Sequence, residues 1–184
     1  MSIDEYRQIL AESTRYGWGF LAAYGFTWLI CAVVWRLWSA RVGAYCTLFQ
    51  GMVALPLAFL LTALTPGPTT PTMPGMDNVS VVLALGQLLG LPIVIALVTR
   101  HQFTQVPSAM ALMVVVHFAP YSWLYATPLY FIVGAAISIA AATIHTTAPR
   151  APAATPDRAA AGAGRVCLST GVIMLISASI AWSI

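Results

Sequence analysis

The chain has 184 residues, 60% hydrophobic and 7% charged, with eight Arg, no Lys and five acidic residues for a formal net charge of +3. A soluble domain carries about 25% charged residues, so this chain cannot cover a water-facing surface, and the lipid bilayer is its expected solvent. So few charges give no basic patch for nucleic acid, and none is expected as a partner.

The N-terminal segment, residues 1–15, reads SIDEYRQILAEST after the initial Met. It is expected to lie at the interface, with Tyr6, Ile9 and Leu10 toward the membrane. A transmembrane helix needs about 20 apolar residues. The first candidate runs from about Tyr16 to Trp38, too long for a signal-peptide core. The second runs from about Val42 to Leu64, carries Gln50 and Gly51, and is expected to be broken internally by Pro56. The segment TPGPTTPTMPGMDN, Thr65 to Asn78, holds four prolines and is expected as an exposed loop, with Asp77 or Asn78 capping the third helix.

The third span, Val79 to Thr99, contains GQLLGLP. Gly86 and Gly90 form a GxxxG pair suited to close helix packing, within one chain or across a homo-oligomer. Gln87 brings a donor and an acceptor that need a partner inside the bundle, and Pro92 breaks the span. The fourth span starts near Pro107 and ends in HFAPYSWLY, residues His117 to Tyr125. On a helix His117, Tyr121 and Tyr125 are spaced i, i+4, i+8 and share a face. Pro120 removes a backbone donor and frees a carbonyl near Val116. A polar group unpaired in hydrocarbon costs several kcal/mol, so this patch is expected to face other helices or a cavity, with Gln87 close to His117.

The fifth span starts near Pro128 and ends near His145. An Ala/Pro linker, Ala148 to Arg165, is expected to be flexible, and the sixth span is Val166 to Ile184. The resulting architecture is an all-α polytopic membrane bundle: five helices over residues 16–147, the linker 148–165 and a C-terminal helix 166–184. Five spans is the alternative, if the fourth and fifth form a broken hairpin. The loops after the first, third and fifth spans hold Arg36, Arg41, Arg100, Arg150, Arg158 and Arg165, against Arg7 and Arg15 on the other side. This bias predicts cytoplasmic odd loops with both termini outside, and basic residues that are all Arg look like the codon bias of a GC-rich bacterial genome, so the expected setting is a bacterial cytoplasmic membrane.

The pocket candidates are Gln50, Gln87, His117, Tyr121, Ser122, Trp123 and Tyr125. Cys31, Cys46 and Cys167 lie in apolar runs without a CxxC and read as small packing residues. His101, His117 and His145 are too dispersed for a metal site, no cofactor is expected, and no span carries an Asp, Glu or Lys. Three functions compete: binding or permeation of a small, weakly polar molecule, an intramembrane enzyme with His117 as acid–base, and a structural or accessory subunit.

GMVALPLAFLLTAL, DNVSVVLALGQLLGLPIVIALV and HFAPYSWLY together resemble a bacterial multi-pass membrane family catalogued as domain of unknown function 7010, over roughly Gly51 to Ala136. Leu91 stands where that family tends to have an aromatic before the proline. The resemblance implies a compact helical membrane fold and no particular activity.

Overall fold

The computed structural model describes residues 1–147 and 156–184. Six helical stretches are long and apolar enough to cross a membrane: Trp18–Leu37, Ala40–Ala63, Met76–Thr99, Phe103–Leu124, Leu129–Thr147 and Ala159–Ser183. The chain is a membrane protein, and among the described residues there is no strand.

A short helix, α1 (Ile3–Ser13), precedes the spans. Ser2 and Glu5 close a reciprocal capping box at its start, which satisfies two N–H groups that the first turn would otherwise leave open. Tyr6, Leu10 and Ala11 are buried against the bundle, while Ile9 is half-buried. The first span is α2 (Trp18–Leu37) and the second is α3 (Ala40–Phe49) followed by α4 (Gly51–Ala63). Pro56 was the expected break in the second span. The helix instead runs through Pro56, and the irregularity falls at Gln50–Gly51.

The third span is α5 (Met76–Gly86), a 3-10 turn (Gln87–Gly90) and α6 (Leu91–Thr99). Pro92 has no N–H for the Leu88 carbonyl, so the turn just before it loses its α-helical bond and tightens. Neither Asp77 nor Asn78 caps this span: Gly75 holds the cap position at φ 93°. Asp77 instead accepts hydrogen bonds from the Tyr6 hydroxyl at 3.1 Å and the Met73 N–H at 3.5 Å.

The fourth and fifth spans, α7 (Val106–Leu124) and α8 (Leu129–Thr147), form an antiparallel hairpin, and α7 stays helical past Pro120. The sixth span, α9, runs from Pro156 to Ser183. The expected linker is therefore partly helix. Its alanines, the best helix formers, carry the last span back over 156–165 despite two glycines, while residues 148–155 lie outside the described residues.

α2 and α9 make the most extensive contact of the bundle. They cross at Gly25 and Gly171: a Cβ on Gly171 would stand 2.9 Å from the Gly25 carbonyl, and one on Gly25 would stand 3.1 Å from the Gly171 carbonyl. Only glycine allows backbones this close in a membrane bundle. α4 flanks α2, α8 flanks α9, and α7 closes the group, whereas the third span touches it mainly through α7.

One end of the bundle gathers α1, the 65–75 loop, the α7–α8 turn and the end of α9. It is tied by Trp18 Nε1 donating to Thr65 at 2.7 Å, Arg7 Nε donating to the Trp123 carbonyl at 2.7 Å, and Trp18 edge-on to Trp182 at 4.7 Å. We call this the terminal face. The opposite face carries Arg36, Arg41, Arg100 and Arg165 and a contact of 2.8 Å between Ser108 Oγ and His145 Nε2.

Candidate functional site

The two halves of the bundle are filled differently. Toward the opposite face, Trp28, Cys31, Trp35, Val106, Ile137 and Cys167 are buried in a solid core. Toward the terminal face lies a cavity of about 330 Å³. Its walls come from most of the helices: Leu10 of α1 and Thr14 just after it, Phe20, Leu21 and Tyr24 of α2, Leu55 and Phe59 of α4, Val81 of α5, Gln87 of the 3-10 turn, Met174 of α9, and a run of α7 and α8 side chains.

That last wall is HFAPYSWLY. His117, Phe118, Tyr121, Leu124 and Tyr125 all line the cavity, with Tyr130 of α8 beside them. The helical spacing puts His117 against Tyr121 at 4.9 Å between ring centroids and Tyr121 against Tyr125 at 6.0 Å, nearly parallel at 27°. Tyr130 joins at 5.8 Å from Tyr121 and 5.5 Å from Tyr125. Such offset aromatic pairs add about 0.5–1.5 kcal/mol each beyond their burial.

The terminal end of this wall is tied down. Tyr130 donates to the Tyr16 carbonyl at 2.8 Å, and the Tyr125 ring lies against Gly17. The backbone that receives them is unusual, because Arg15, Tyr16 and Gly17 all have positive φ (46°, 51° and 73°). The Tyr125 ring packs so closely that a Cβ on Gly17 would stand 3.0 Å from Cε2, and the Tyr130 hydroxyl would be nearer still. Deeper in the cavity the polar groups are open. Among the described residues, the side chains of Gln87, His117 and Tyr121 make no hydrogen bond to one another or to a neighbour. They line one cavity without pairing across it.

Of the seven candidates, Gln87, His117, Tyr121 and Tyr125 line the cavity and three lie elsewhere. Ser122 points away and accepts the Phe131 N–H at 2.9 Å, closing the start of α8. Trp123 lies on the outer surface beneath the Arg7 guanidinium, 4.8 Å from its ring centroid. Gln50 is buried in the filled half and accepts from the Cys31 thiol at 3.9 Å. Cys31 and Cys46 sulfurs are 3.5 Å apart, and Thr47 bonds Trp35 Nε1 at 3.0 Å and lies 3.9 Å from Cys167. The three cysteines thus converge on one thiol–hydroxyl cluster, which their sequence separation concealed. Of the proposed packing glycines, Gly90 lies against Met113, where a Cβ would stand 2.7 Å from Sδ, and a Cβ on Gly86 would meet nothing within 4 Å among the described residues.

Sequence reasoning missed Tyr24, Phe59, Thr14 and Tyr130. Tyr24 did carry a signal: a tyrosine about two turns inside an apolar span is too deep for an interfacial belt. Thr14 and Tyr130 join only through α1 and the hairpin, which no periodicity reveals.

Chemically, the site offers hydrogen bonds and aromatic faces. No charged side chain lines it among the described residues, and no group of three His, Cys, Asp or Glu there could hold a metal ion. No curated protein and no solved structure matches the chain. A family model does match it over residues 3–182, nearly its whole length, and the chain belongs to that family of unknown function, DUF7010.

Proposed function

We propose that the protein binds a small, weakly polar molecule inside the membrane, in the cavity between α1, α2, α7 and the third span. One observation carries this reading: a cavity of about 330 Å³ is walled by the hydrogen-bonding groups of Gln87, His117 and Tyr121, which lack partners among the described residues. Ligand sites are mostly apolar clefts of about 300–1,000 Å³ with a few convergent polar groups. Unpaired polar groups in a bilayer are costly unless something meets them. Binding is favoured over permeation because the opposite half of the bundle is filled by Trp28, Trp35 and the cysteine cluster.

The setting we propose is a bacterial cytoplasmic membrane with the terminal face outside. Four arginines on the opposite face support it. On the terminal face Arg7 is engaged by Asp4 at 2.9 Å and Arg15 lies 5.7 Å from the Trp182 ring centroid.

Thermal unfolding in nanodiscs tests the binding reading, with indole and duroquinone as neutral probes. A saturable rise in midpoint is expected for the wild type. His117→Phe and Gln87→Leu should abolish the rise while their probe-free midpoints stay within a few degrees. If neither probe moves the wild-type midpoint, or the variants respond equally, the cavity is not a binding site.

A further inference from the structure

As the described residues build it, the wall of the cavity is incomplete on one side. Leu55 and Phe59 on α4 and Val81 on α5 line it, yet they are 39%, 59% and 56% exposed on the outside of the bundle. The same side chains therefore border both the cavity and the surrounding medium. α4 and α5, which flank this opening, make at most a slight contact with each other among the described residues. Phe59, Leu55 and Val81 lie four, eight and five residues from the terminal-face ends of their helices at Ala63 and Met76. At 1.5 Å per residue that is a depth of roughly 6–12 Å. The hydrocarbon core is about 30 Å thick, so this side opens into acyl chains and not into water. The water-facing end is roofed by α1 and the residue after it: Leu10 and Thr14 line the cavity, and Tyr6 and Arg7 are hydrogen-bonded to Asp77 and the Trp123 carbonyl.

Resting on the binding reading above, we infer that the ligand is a neutral lipid with a flat, hydrogen-bonding ring as its head, of the quinone type, admitted sideways from the bilayer between α4 and α5. Three observations select this class. No charged side chain among the described residues lines the cavity, so an ionic head would be desolvated without a counter-charge. Tyr121, Tyr125 and Tyr130 have rings within 21–37° of parallel and present a flat aromatic wall. Gln87 and His117 offer N–H donors deeper in the same cavity, where ring carbonyls would accept them. A volume of about 330 Å³ holds such a head but not a long tail, and the α4–α5 opening lets the tail remain among the lipids.

The test is equilibrium retention of quinone by protein-loaded nanodiscs, corrected for empty ones and expressed as mole fraction in the bilayer. Decylubiquinone is the tailed probe, duroquinone the tailless one, and decanoate a tailed competitor with a charged head. Full ring substitution keeps both quinones from adding to the thiols. About one decylubiquinone per chain is expected, weakened tenfold or more by His117→Phe or Gln87→Leu and not displaced by decanoate. Val81→Trp should weaken decylubiquinone at least tenfold and spare duroquinone. Leu89→Trp, at a site 84% exposed on the same span, should change neither and reports on folding. If Val81→Trp leaves decylubiquinone binding intact, the sideways route is wrong. If decanoate displaces the quinone, the neutral-head assignment is wrong. If duroquinone alone binds with dependence on His117, the cavity still binds small molecules and only the lipid inference falls. If neither quinone is retained and indole still shifts the wild-type midpoint, the same division holds. Failure of all three probes overturns both readings.

Discussion

The substitution Gly17→Ala tests how the α1 roof is joined to the aromatic wall. Gly17 has φ 73°, ψ 23°, a left-handed conformation, and comes after two other residues with positive φ, so the turn has little freedom to relax. An alanine held there costs about 1–2 kcal/mol from its own Cβ. The new methyl also meets the Tyr130 hydroxyl and stands 3.0–3.1 Å from Tyr125 Cε2 and Cζ, atoms of rigid rings. Tyr130 must then release its 2.8 Å hydrogen bond to the Tyr16 carbonyl, a further loss of about 1 kcal/mol. The expected total is about 2–3 kcal/mol, measured by graded SDS unfolding in mixed micelles with Trp fluorescence. Tyr130→Phe alone should cost about 1 kcal/mol. The double variant should cost less than the two together, because removing the phenolic oxygen removes both the obstacle and the bond it breaks. A Gly17→Ala protein within about 0.5 kcal/mol of wild type, or strict additivity with Tyr130→Phe, would refute the reasoning.

Gly90→Leu should lower the folded yield and cost about 1–3 kcal/mol by overpacking against Met113, whereas Gly86→Leu should be close to neutral; equal effects in thermal unfolding would contradict this contrast. Gly171→Ala should destabilise the α2–α9 crossing, since its Cβ would stand 2.9 Å from the Gly25 carbonyl; an unchanged midpoint would mean that the helices can separate at no cost. Ser122→Ala should remove the acceptor of the Phe131 N–H and cost about 1 kcal/mol without altering the probe response of the cavity, and loss of that response would return Ser122 to the site. For the proposed orientation, a cysteine at Thr72 in a Cys-free background should react with an impermeant maleimide in intact cells, and one at Gln102 only after permeabilisation; the reverse pattern inverts the topology.

The spans were legible because bilayer thickness imposes a length on every apolar run, and all six appear. Pro92 was legible as a break because a missing N–H acts locally, on the turn before it. His117, Tyr121 and Tyr125 were legible as one face because helical geometry fixes i, i+4, i+8 before any packing is known. Gln50, Ser122 and Trp123 were assigned to a pocket by polarity alone, and polarity does not say which neighbour satisfies a group: a thiol, a helix-start N–H and an arginine do so here. The helical start of α9 was hidden because alanine and glycine serve linkers and helices alike. The Gly25–Gly171 crossing was invisible because it joins the first and last spans, and neither glycine belongs to a local motif.

The uneven filling of the bundle has a mechanical consequence. The half packed with tryptophans and thiols is about as incompressible as an organic crystal. The half around the cavity can shrink when squeezed, and unfolding volumes scale with the void that is lost, typically tens of mL/mol. Hydrostatic pressure or crowded acyl chains should therefore deform the molecule first at its hollow end, drawing α4 and α5 toward α7 while the crossing of α2 and α9 holds still.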